Sequence, residues 1–281
     1  MTAIARKRET MVKVVFKMSR RTIALIVLVL AASTYATAQF RRQTRIPAMA
    51  LATPDSFDGD WHFCRLAYQG RAWATDYPDA DYNFSTRLSE LTKTPVSKDS
   101  AATPRPLIVR PTDDTLFQCP FVMLWQAESL YLSDEDASQL RRYLLKGGFI
   151  WSDDSWGSYA WDNFANQMAK VLPPSEFQFI DVPAHHSMFR TLYDVPKVPQ
   201  IPGISFWWGT NGGTSEQGAD SAEVHVRAIV DRAGRILVLS THNTDIADGW
   251  ERETDNEDFF YAFTADAYGV GINAAVFAMS H

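Results

Sequence analysis

Cysteine is scarce in this chain, with two residues, Cys64 and Cys119, among 281. Their separation carries no disulfide-framework or metal-finger spacing. An oxidising compartment permits a bridge between them without requiring one. The chain has no H-E-x-x-H and no G-x-S-x-G, so two familiar hydrolase signatures are missing. No internal repeat and no low-complexity block is present. The longest strongly apolar run, Ile23–Ala32, falls short of the roughly 20 residues that span a bilayer. Basic charge is also short beyond the N-terminal region. Without residues 1–38 the balance is 20 basic against 32 acidic residues. Such a surface repels phosphate backbones, which argues against nucleic acid as a partner, and no basic amphipathic helix offers itself to a membrane.

What the N-terminus does have is a pattern. Seven Lys or Arg residues in the first 21 precede the apolar run, and Ala36-Thr37-Ala38 follows with the small-x-small spacing of a signal-peptidase site. Residues 1–38 therefore read as an export leader with Gln39 as the new terminus. The alternative is an uncleaved anchor, because Ile23–Ala38 carries no charge and Arg41, Arg42 and Arg45 follow it. Residues 39–59 read as a linker and 60–281 as one domain. The expected location is the periplasm or envelope, with contact to the membrane only through the N-terminal segment if it is retained.

Along the domain, apolar runs at Phe63–Tyr68, Leu107–Arg110, Phe121–Gln126, Phe149–Ser152 and Phe177–Val182 predict strands. Asp81 is a candidate cap for a helix bearing Phe84, Leu88 and Leu91. Ser133 and Asp136 form a capping-box pattern ahead of the stripe Ala137, Leu140, Tyr143 and Leu144, which Gly147 stops. A further helix over about Ser158–Leu172 ends at Pro173-Pro174. Val224–Val230 and Arg235–Ser240 form a hairpin about Asp231-Arg232-Ala233-Gly234, and Asp258–Met279 is helical, with weak points at Gly269 and Gly271. Strands alternating with helices imply an α/β fold with a mostly parallel sheet and a late antiparallel hairpin. Pro183–Ala222 is a Pro/Gly-rich loop long enough to be functional.

Trp73-x-x-Asp76-Tyr77-Pro78-x-x-Asp81-x-Asn83, then Leu140–Leu144 with Gly147-Gly148-Phe149, Asp153–Gly157, Phe189, Tyr193 and Asn243-x-Asp245, together resemble a bacterial family called domain of unknown function 4159. The resemblance implies a class I glutamine amidotransferase-like fold, a flavodoxin-like three-layer sandwich. Amidotransferases of that fold place a nucleophilic cysteine on a turn after a central strand. The corresponding turn here, Ser152–Gly157, has none, so glutamine hydrolysis is not expected.

The carboxyl ends of the strands are where ligands bind in such sheets, and several chemistry-bearing residues fall there. Asp153 and Asp154 close one strand. On an extended backbone they point oppositely, so one site takes both only across a turn; otherwise one caps the next helix. His185-His186 and His242 also follow strands. Asp154, His186 and His242, with Asp245 near, are candidates both for catalysis and for a divalent metal with a hydrolytic water. Ser155 with His242 and Asp245 is a second nucleophilic arrangement, opposed by bulky Trp156. Asp153, Asp154, Trp156 and Asp245 are candidate ligand-binding residues. Trp73, Trp156, Trp207, Trp208 and Trp250 fall in predicted loops, where aromatic faces beside acids suit sugar rings or simply close the core. The reading favoured is a non-catalytic binding or scaffolding module with a glycan or envelope protein as partner. The alternative is a metal- or carboxylate/His-dependent hydrolase acting on a glycan or amide.

Overall fold

The computed structural model describes residues 51–280. The leader or anchor at 1–38 lies outside the described residues. Of the stretch read as linker, residues 51–59 are described. Leu51 forms a bridge with Ile108, and Asp58 pairs with His62 at 3.2 Å and Arg105 at 3.6 Å.

Seven strands form one sheet in the order β2-β1-β3-β4-β7-β6-β5. They are β1 (Cys64–Leu66), β2 (Leu107–Val109), β3 (Val122–Trp125), β4 (Ile150–Asp153), β5 (Phe179–Asp181), β6 (His225–Val230) and β7 (Ile236–His242). The first five in spatial order run parallel, and β6 and β5 add an antiparallel edge beside β7. β4 holds the middle of the sheet and is buried along its whole length, polar Ser152 and Asp153 included, as a central parallel strand is.

Period-two alternation sorts the side chains into two cores. Phe63, Phe121, Met123, Trp125, Phe149 and Trp151 face α1 (Asp79–Thr92) and the C-terminal helix. Cys64, Leu66, Val122, Leu124 and Ile150 face α2 (Asp134–Leu145) and α3 (Gly157–Val171). The result is a flavodoxin-like α/β/α sandwich. Ser133 and Asp136 close the capping box on α2, and Gly147 supplies its left-handed stop at φ 113°.

Three elements differ in detail from the residue reading. Asp81 caps nothing: it lies inside α1, fully buried against Arg65. The Pro183–Ala222 loop contains α4 (Ile204–Gly209), and Trp250 sits fully buried in α5 (Asp248–Glu251). The C-terminal helix passes from a turn at Glu257–Phe259 through a π-helical turn, Phe260–Thr264, into α6 (Ala265–Ser280). Gly271 is a contact point and no weakness there. A Cβ on it would lie 2.4 Å from the Trp250 ring and 2.7 Å from Phe84, so the missing side chain lets the helix lie directly on that indole. No helix among the described residues is long and apolar enough to cross a membrane.

Candidate functional site

The sheet order sets where a ligand can enter. From β1 the chain crosses outward to β2, then returns past β1 to β3 and β4, so the crossovers diverge between β1 and β3. At such a switch point the loops after the strands part and leave a crevice. Each of the four loops around it carries one non-glycine residue in the left-handed region: Asp76 after β1 (φ 59°), Gln126 after β3 (φ 53°), Asp154 after β4 (φ 51°) and Asn243 after β7 (φ 63°). Asp and Asn are among the non-glycine residues that tolerate this conformation best, and three of the four are of that kind. At Asp154 it supplies the turn that redirects a side chain otherwise bound to point away from Asp153's neighbours.

Asp76, Asp154 and Asp245 offer carboxylate oxygens all within 4.8 Å of one another, as do Asp76, Asp248 and Glu251. Asp76 belongs to both sets. Asp154 accepts from Trp156 Nε1 at 3.1 Å and from Gln126 Nε2. Asp245 Oδ1 accepts from the amide of Asp248 at 2.9 Å, and Asp248 Oδ2 accepts from that of Ile204 at 2.8 Å. Asp76 Oδ2 is buried and accepts from no amide or hydroxyl; the Glu251 carboxyl lies within hydrogen-bonding reach of Asp76, so a bond between them requires a shared proton. Asp153 lies apart from both sets. Its Oδ1 accepts from Thr241 Oγ1 at 2.5 Å and its Oδ2 from the amide of Ala247 at 3.0 Å, so it anchors the β7–α5 connection that carries Asp245.

Burial raises the carboxyl groups of Asp76 and Asp245 well above the usual range, and the neighbouring acids, Asp154 first, push them further. Burial likewise lifts Asp154 to about 7 against the opposing hydrogen bond from Gln126. Several acids gathered in a low-dielectric crevice must either hold protons or take a cation. The nearby arginines are engaged elsewhere. Arg65 is bound to Asp81, and Arg252 reaches Glu251 at 2.9 Å, Asp255 at 3.3 Å and Asp248 at 3.5 Å. Arg252 therefore offsets part of the charge on the Asp248/Glu251 side, while the arginine that lowers the Asp76 carboxyl is Arg65, which is itself paired with Asp81.

The histidines go elsewhere. His242 lies beneath the rim, its Nε2–H donating to Gly157 O at 2.9 Å while Nδ1 faces Arg227 at 3.5 Å. Burial depresses its pKa to about 4, so it stays neutral and holds the start of α3. That use also removes it as a base for Ser155, which is buried and bridged to Thr244. His186 accepts from the amide of Met188 at 3.2 Å and packs against Phe277. The structure thus brings Asp154, Asp245 and Trp156 together and leaves His186 and His242 outside the set. Neither Asp153 nor Asp154 caps α3, whose first amides go to Asn243 Oδ1 and Asp220 Oδ2, both at 2.8 Å. No thiol is free either, since Cys64 and Cys119 form a disulfide.

Residue reading missed Asp76, Asp248 and Glu251. Two signals were available: Asp76 follows β1, and Asp245-x-x-Asp248-x-x-Glu251 has the spacing that lines up one side of a helical turn.

Fold and site together define a flavodoxin-like α/β protein with an acidic, oxygen-donor crevice at the carboxyl ends of its parallel strands. Residues 62–279 match the family described as Domain of unknown function (DUF4159), and the chain belongs to that family. No curated protein matches it.

Proposed function

We propose that this protein is an exported binding module of the cell envelope whose crevice holds one divalent cation through Asp76, Asp154 and Asp245 and presents it to a glycan. The observation that carries the reading is the buried Oδ2 of Asp76, which finds no amide or hydroxyl donor and is set within 4.8 Å of carboxylate oxygens of Asp154 and Asp245. An all-oxygen donor set suits Mg²⁺, Ca²⁺ or Mn²⁺ and disfavours zinc, which prefers nitrogen and sulfur. The rim carries half-buried acids, Glu128 and Glu216, both with pKa raised by burial. It is thereby hostile to phosphates and carboxylates and open to neutral polyols, whose hydroxyls complete a cation's coordination while Trp156 offers an aromatic edge. The leader-like N-terminus and the disulfide agree with an oxidising compartment.

The test is calorimetric titration of the purified protein with Ca²⁺, Mg²⁺ and Mn²⁺. We expect one site per chain, lost in Asp76→Asn and Asp245→Asn and kept in His186→Ala and His242→Ala. Absence of any divalent binding sinks the reading. The metallohydrolase alternative, acting on a glycan or amide, draws on one observation, the sharing of Asp76 by two carboxylate sets as in two-metal sites. It requires two cations per chain and displacement of Arg252, so a stoichiometry of two would promote it.

A further inference from the structure

Arg65 is the largest charged side chain in the core and has no exposure to solvent. Alternation along β1 sends it to the same face as Trp125, with its guanidinium carbon 3.6 Å from the indole centroid. Nε and Nη2 bind the two oxygens of Asp81 on α1. Nη1 turns the other way and donates to the carbonyl of Trp73 at 2.9 Å and to that of Thr75. The ring of Tyr77 lies over the same group, 5.5 Å from its centroid. Outside Asp81 and Trp125, the guanidinium's hydrogen bonds and ring contact are therefore to the loop that carries Asp76, on both sides of that residue.

A buried ion pair is a poor device for stability alone, because apolar residues of the same volume usually serve as well once desolvation is counted. It is a good device for fixing one geometry. A planar guanidinium satisfies two carbonyls and a carboxylate at once while lying flat on an aromatic ring; a lysine ammonium cannot. Asp76 needs such support, being left-handed and having an oxygen, Oδ2, that accepts from no amide or hydroxyl.

We infer that Arg65 is the positioning residue of the cation site: it clamps the Trp73–Tyr77 loop so that Asp76 meets Asp154 and Asp245. This rests on the cation-binding reading above. Groups that orient metal ligands typically change affinity by about 10- to 100-fold when altered.

The experiment measures Mn²⁺ affinity by calorimetry for the parent, Arg65→Lys and Asp76→Asn, with Leu88→Ala, whose side chain is fully buried in the core on α1, as a destabilised control. Arg65→Lys should weaken Mn²⁺ binding about tenfold or more, and Leu88→Ala should bind as the parent does. A parent that binds Mn²⁺ together with an Arg65→Lys variant that binds equally well overturns this inference alone. A parent that binds no cation overturns the cation reading and this inference with it. Should Arg65→Lys fail to fold, Trp125→Leu removes the ring beneath the guanidinium and carries the same test: weakened binding supports the clamp, and parental affinity refutes it.

Discussion

The two ends of one sheet are built on opposite terms. At the amino ends of the strands polar and charged groups are matched by carbonyls, opposite charges or a covalent bond. Cys64, opening β1, is bridged to Cys119 ahead of β3. Tyr143 Oη donates to Cys119 O at 2.7 Å, and Arg235 Nη2 to Leu144 O at 2.9 Å. At the carboxyl ends like charges are brought together, Asp76 Oδ2 accepts from no amide or hydroxyl, and four non-glycine residues adopt left-handed backbone. One end holds the fold; the other is held by it. Strain and unpaired charge persist only where the surroundings over-determine them, and they collect where ligands bind.

The largest effect that separates the two ends should come from the disulfide. It closes a loop of 55 residues, and chain-entropy estimates for a loop of that size give about 4 kcal/mol. The Cys64→Ala/Cys119→Ala variant should lose that much in denaturant unfolding while keeping parental Mn²⁺ affinity if it still folds at 25 °C. A fall in affinity comparable with that of Asp76→Asn would show that the two ends are not independent.

The acidic end should reveal itself through pH. Asp76, Asp154 and Asp245 have folded pKa values above the unfolded carboxylate value of about 4. The native state then binds more protons than the unfolded one, so cation-free stability falls as pH rises. The loss begins near the unfolded value and, for Asp154, is complete once pH passes its folded value of about 7. Melting temperature without divalent ions should therefore decline from about pH 4 to pH 7, and saturating Ca²⁺ should restore it most at the upper end. Asp76→Asn should flatten the profile. A metal-free profile that rises across this window would contradict the assignment.

How much of this contrast the residues disclose depends on the kind of signal. Strand and helix positions were legible because β4's apolar run, the Ser133 capping box and the Gly147 stop are local patterns. Asp154 and Asp245 were legible because each follows a strand. Asp76 also follows a strand, but ten residues after it, inside a polar loop whose shape depends on Arg65, 11 positions earlier and buried beneath it. His242 misled for the same reason. Its position after β7 suits a ligand, yet the partner that claims it is a carbonyl 85 positions away in sequence. Short-range spacing does not encode which of several polar residues at a strand end will be spent on holding the next element. Gly271 is similar: composition marks it as a helix weakness, and only the packing of Trp250 explains it.

The smallest effect concerns a polar group that belongs to neither the cysteine bridge nor the acid cluster. Ser133 caps α2, its Oγ accepting from the amide of Asp136 at 3.1 Å while Asp136 Oδ2 accepts from the Ser133 amide at 2.9 Å. Like Asp76, it sits in a loop that follows a parallel strand, but its groups are paired reciprocally and Asp136 spends its charge on the helix start. Ser133→Ala should cost about 1 kcal/mol in unfolding experiments and leave both Mn²⁺ affinity and the slope of stability with pH at their parental values. If it altered the slope, the acids after the strands would form one electrostatic unit extending to α2. If only stability moved, the functional part of this end would be confined to the crevice between β1 and β3, where the crossovers diverge and the loop clamped by Arg65 meets Asp154 and Asp245.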